Sequence, residues 1–147
     1  MKNKPIEYFQ NKKEFQKCAK EWQHKLFLDD WFIKFELIDK ELYLDDTSKE
    51  TTLFGYCNRV WENHEAVIKI SHVKDIKGTV VRGIEELTLV HELLHCLLFP
   101  IDVNPNEADY QTLYMDLDNH RKIDQLAKSL LMVKYNLDFD YFYEIKE

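Results

Sequence analysis

The stretch EELTLVHELLHCLLFP, from Glu85 to Pro100, is the most apolar part of the chain, and it carries two histidines and a glutamate in its middle. An isolated carboxylate moved into an apolar interior costs several kcal/mol or changes its protonation state. A fold that buries this segment therefore has to compensate His91, Glu92 and His95. On a helix each residue advances by about 100°, so positions four apart stand about 40° apart and one turn in height. His91 and His95 then point the same way, and Glu92 lies about 60° round from His95.

Two imidazoles in that relation can reach one cation at the roughly 2.0–2.1 Å that zinc prefers. Glu92 stands beside such a cation, where a base acting on a metal-activated water has to be. The competing reading is a pair of satisfied core histidines. The surrounding leucines bear on it. Leu89, Leu93 and Leu97 fall opposite the histidines, where they can pack on a core, while Leu87, Leu94 and Leu98 flank them and keep the site dry.

Two histidines alone rarely make a durable catalytic zinc site, so a third ligand is expected. His120 is the leading candidate, because it precedes Ile123 and Ala127 by three and seven residues and so shares the apolar stripe of the last helix. Asp124 and Asp116 lie within a turn of it and are the rivals. Glu107 is a weaker one, already used by the capping pattern Asn104-Pro105-Asn106-Glu107.

The rest of the chain sets the frame. With 147 residues, it suits one domain spanning 1–147. Hydrophobic residues at 45% fit a folded globular protein, and a net charge of -7 argues against a nucleic-acid surface. No run approaches the roughly 20 apolar residues that span a bilayer, and the N-terminus lacks a secretion signal, so a cytoplasmic protein without a membrane partner is expected. Cys18, Cys57 and Cys96 are separated in sequence and read as small buried hydrophobes.

Asn11-Lys-Lys-Glu14 is a capping box that opens an amphipathic helix over about residues 12–27. Trp31, Ile33, Phe35 and Leu37 alternate as a strand, Thr52 to Trp61 reads as a second with Gly55 as a possible bulge, and Ala66 to Ser71 as a third, paired with the second in a hairpin. Lys77-Gly78 punctuates the chain before the motif helix, which runs to Phe99 and ends at Pro100. A last helical region begins near 105, with a possible break near Asp116 to Asn119, and the aromatic tail DFDYFYEIKE is a final strand or a docked extension. The expected class is α+β: an N-terminal helix, a small, mainly antiparallel sheet of about three strands, the HExxH helix and a C-terminal helix carrying the third ligand.

The order of Trp31-Phe-Ile, Gly55-Tyr56, Ala66-Val-Ile-Lys-Ile70 and Leu89-Val-His-Glu-Leu-Leu-His95 resembles the minigluzincin-type, zincin-fold metallopeptidase-like proteins encoded by bacteriophages and Gram-positive bacteria. The resemblance covers roughly residues 12–132, with the motif helix its specific part. In similar proteins a later helix carries a glutamate three residues before an apolar position followed by an acid and Leu-Ala. Here that segment is His120-Arg-Lys-Ile123-Asp124-Gln-Leu126-Ala127, with histidine in place of the glutamate.

The resemblance implies a zincin-like fold, a zinc cofactor, a peptide or protein substrate, and hydrolysis with Glu92 as base and His91, His95 and His120 as ligands. It also implies an edge strand that pairs with an extended peptide, for which Ala66, Val67, Ile68, Lys69 and Ile70 are the expected residues. Tyr110 and Tyr114 are conceivable oxyanion donors. His64 and His72 are expected at the surface. The alternative from another class is a catalytically silent zincin scaffold that holds structural zinc and acts as a binding or regulatory module. Oligomeric state is not legible.

Overall fold

The computed structural model describes residues 3–43, 52–74, 83–98 and 110–144, with backbone alone for Thr52 and for 110–119. Lys77-Gly78, the helix end at Phe99 and Pro100, and the Asn104 to Glu107 cap lie outside the described residues. Helix α1 spans Lys12–Lys25, capped by the Asn11 side chain, which accepts from the Glu14 backbone N–H. The Glu14 carboxylate reaches back to the Gln10 amide at 3.1 Å, one residue before the cap. Phe15, Cys18, Ala19 and Trp22 turn inward from it.

Strands β1 (Phe32–Ile38), β4 (Gly55–Val60) and β5 (Glu65–Ser71) form one sheet in the order β1-β5-β4, while β2 (Leu42–Tyr43) and β3 (Thr52–Leu53) form a separate antiparallel pair. The expected hairpin is present, with Gly55 opposite Ile70 and Val60 opposite Glu65. The sheet is mixed rather than mainly antiparallel, because β1 runs parallel to β5.

That pairing overturns one expectation about the site. The backbone from Ala66 to Ile70 is paired with β1 on one side and β4 on the other, so Ala66, Val67, Ile68, Lys69 and Ile70 form the middle strand and have no edge to offer a peptide. The edges of this sheet among the described residues are β1 and β4. A parallel partner distant in sequence leaves no local mark, which is why a lone strand pattern does not distinguish centre from edge.

Ile33, Phe35, Leu37, Ile68 and Ile70 are buried on one sheet face, where α1 and helix α2 (Glu85–Leu97) pack. Leu89, Leu93 and Leu94 of α2 are fully buried there, whereas Leu97, expected on the core face, is 39% exposed. No side chain caps the start of α2. The N-terminal segment does so instead, as the carbonyls of Ile6 and Glu7 accept from the amides of Glu86 and Glu85 at 3.0 and 3.1 Å.

Helix α3 (Tyr110–Tyr135) packs against α2 through Ile123, Ala127 and Leu131 and runs without the expected break at 116–119. That segment is polar but contains neither glycine nor proline, so nothing in it stops a helix. The aromatic tail docks as a 3-10 turn (Phe139–Tyr143) with Phe142 buried, not as a strand. Among the described residues no helix is long and apolar enough to cross a membrane.

Candidate metal centre

Helix α2 presents His91 and His95 one turn apart, and α3 brings His120 up to them. The imidazole centroids are 5.2 Å apart for His91 and His95, 4.6 Å for His91 and His120, and 5.6 Å for His95 and His120. One ligand atom from each lies within 4.8 Å of the others, so the three together could hold a metal ion. His91 and His95 are half-buried and His120 is exposed. The apolar stripe responsible is visible in the contacts, since Ile123 and Ala127 are fully buried and turn the face of α3 that bears His120 toward α2.

Glu92 is 7% exposed at the edge of the same cluster. Its space is made by Gly55 at the start of β4: a Cβ there would lie 3.2 Å from Glu92 Cγ, 3.1 Å from the Lys69 carbonyl and 2.6 Å from Thr88 Cγ2. Gly55 therefore marks a close approach of strand to helix, rather than the bulge that its place in a β-prone run suggests.

Asp124 is not among the three clustered residues but lies against one of them, His91. Its Oδ1 is 3.7 Å from His91 Nδ1, while its Oδ2 accepts from Lys128 Nζ at 2.8 Å. At 3.7 Å the carboxylate lies outside hydrogen-bond range and acts on the His91 ring through its charge. Burial pushes the Asp124 carboxyl up, but the partnership with His91 and Lys128 outweighs it and holds the group at about 2. The side chains of Asp116, Tyr110 and Tyr114, and all of Glu107, fall outside the described residues.

Leu53, Phe54, Leu87 and Phe142 supply apolar walls to a pocket of about 330 Å³ that also includes His91, Glu92, His120, Asp124 and Lys128. Phe142 and Lys128 carry no motif and were not singled out by sequence; the only signal for Lys128 is its place two turns after His120. His64, expected at the surface, is partly exposed, stacked on Trp31 and 3.0 Å from Asp30. His72, expected there too, is half-buried, with Nδ1 2.9 Å from Glu85 and its ring 3.9 Å from that of Tyr8. Cys57 and Cys96, distant in sequence, bring their sulfurs to 3.8 Å.

Comparison with models of protein families, with curated proteins and with solved structures finds no match.

Proposed function

We propose that the protein is a zinc-dependent metallopeptidase of zincin-like fold that hydrolyses peptide bonds, with His91, His95 and His120 as ligands and Glu92 as general base. The observation that carries this reading is the convergence of three imidazoles from two helices beside a buried carboxylate. Three neutral nitrogen donors suit a borderline cation such as zinc. His91, His95 and His120, whose ligand atoms lie within 4.8 Å of one another, would hold it. The resemblance to minigluzincin-type proteins supports the same assignment, with His120 where those proteins carry glutamate.

Bound zinc supplies Lewis acidity toward a carbonyl and acidifies water to a pKa near 7. The chain's own groups do the rest. Glu92 accepts the proton of the attacking water and returns it to the leaving amine. Asp124, beside His91, would help to position that imidazole and raise its basicity as a ligand. The apolar walls exclude bulk water, which strengthens each of these interactions. Among the described residues β4 is the edge bordering the pocket and would be the strand for an extended peptide to pair with, since Gly55 opens it and lines the cavity.

The test is peptide hydrolysis by zinc-loaded wild type and Glu92→Gln. The expected result is retained zinc with turnover reduced by about a hundredfold or more. Undiminished hydrolysis in the variant sinks the assignment of Glu92. Absence of hydrolysis in the wild type, together with unfolding on chelation, favours a scaffold with structural zinc.

A further inference from the structure

We propose that the pocket beside the three histidines takes a substrate group ending in a carboxylate, and that Lys128 is the residue that reads it. The proposal rests on the peptidase reading for what happens to the substrate, but not for what the pocket binds.

Lys128 follows His120 by eight residues on α3, just over two turns along and about 80° round, and it lines the pocket with His91, Glu92 and His120. Its side chain is only 15% exposed. Burial favours the neutral amine, yet hydrogen bonds to Asp124 and Tyr143 more than offset this and raise its pKa, so the group is an enclosed cation. An ammonium has three donors. One goes to Asp124 at 2.8 Å and one to the Tyr143 hydroxyl at 3.2 Å, and among the described residues no acceptor takes the third. The Tyr143 ring, 4.7 Å away, adds cation–π support that fixes the ammonium without neutralising it.

Asp124 pairs with this charge, but it takes only one of the ammonium's donors, so Lys128 can still donate to a second anion. A histidine as third ligand also adds no negative charge to the pocket, whereas a glutamate would. Leu53, Phe54, Leu87 and Phe142 complete the walls. A group with an apolar stem and an anionic end matches that division. A cavity of about 330 Å³ lies at the lower end of ligand-pocket sizes and limits the occupant to about one residue or a small molecule. The carboxylate can be a chain terminus or the side chain of glutamate or aspartate, which present the same anion to the same ammonium.

The test measures calorimetric binding of residue-length hydroxamates, which grip zinc without being turned over, to the zinc-loaded full chain. One probe ends in a free carboxylate, one in the carboxamide, and one in a carboxamide with a glutamate side chain. At least one carboxylate probe is expected to bind the wild type about tenfold or more tighter than the neutral probe. That advantage disappears in Lys128→Met and persists in Lys128→Arg. An advantage confined to the free terminus assigns an exopeptidase-like preference, and one confined to glutamate assigns an acidic side-chain preference. Equal binding of all probes to the wild type, no binding of any, or a carboxylate advantage that survives Lys128→Met overturns the proposal. Selective carboxylate binding without hydrolysis of any peptide removes the peptidase reading and leaves the pocket's specificity standing; hydrolysis with equal probe binding does the reverse.

Discussion

Glu86 is fully buried and sits where the N-terminal segment, α1, α2 and α3 meet. Its Oε1 accepts from the Ile6 amide at 2.9 Å and the Tyr135 hydroxyl at 2.7 Å. Its Oε2 accepts from Trp22 Nε1 at 2.9 Å and Lys134 Nζ at 3.1 Å. Glu86→Gln keeps the shape but retains only one acceptor oxygen. Whichever oxygen survives, donors on the other side face an NH2 group, and the Lys134 ammonium loses its anion. Each unsatisfied buried donor costs about 1–3 kcal/mol, and removing one partner of a buried ion pair costs about 3–5 kcal/mol. These costs overlap, so the expected loss is about 3–5 kcal/mol in total, a large share of an ordinary domain's stability. Urea titration followed by tryptophan fluorescence and circular dichroism measures it. A loss below about 1 kcal/mol refutes the account of Glu86 as the junction. Because the same junction fixes α2 against α3, metal affinity is expected to fall in the variant along with stability.

Gly55→Ala places a methyl group 2.6 Å from Thr88 Cγ2 and 3.2 Å from Glu92 Cγ; overpacking of this kind costs about 1–3 kcal/mol. The expected outcome is a lower melting temperature and reduced hydrolysis with zinc still bound, checked by thermal melts, peptide assay and metal analysis. Asp124→Asn tests pH linkage. A carboxyl held at about 2 contributes stability above the ordinary carboxylate pKa, and that contribution is lost as pH falls through about 2. The side chain is 40% exposed, so solvent screening limits the effect to about 1 kcal/mol at pH 7. The melting curves of variant and wild type should converge toward pH 2, and a constant gap down to that pH contradicts the sign. The same variant is expected to weaken zinc binding by about 10–100-fold through loss of the His91 partner.

What sequence discloses here is local. The i, i+4 spacing places His91 and His95 on one face, and the stripe of Ile123 and Ala127 orients His120 toward them, because both depend only on helix geometry. The Asn11–Glu14 cap is local in the same sense. What it hides depends on partners distant along the chain. The parallel pairing of Phe32–Ile38 with Glu65–Ser71 makes Ala66 to Ile70 a central strand. Glu86 draws its donors from Ile6, Trp22, Lys134 and Tyr135, and no spacing rule connects them. Asp124 shows the limit most plainly. One turn past His120, it is a rival ligand on spacing alone, and only the packing of α3 on α2 puts it against His91 Nδ1.

Metal stoichiometry and affinity tie these strands together. Purified wild type and His120→Ala are stripped with a chelator, titrated with zinc against a competing indicator, and analysed for bound metal. The account predicts about one zinc per chain for the wild type and a fall in affinity of about a hundredfold or more for His120→Ala, with the fold retained by circular dichroism. Unchanged zinc binding in His120→Ala, or no specific zinc binding by the wild type, contradicts a centre built from His91, His95 and His120.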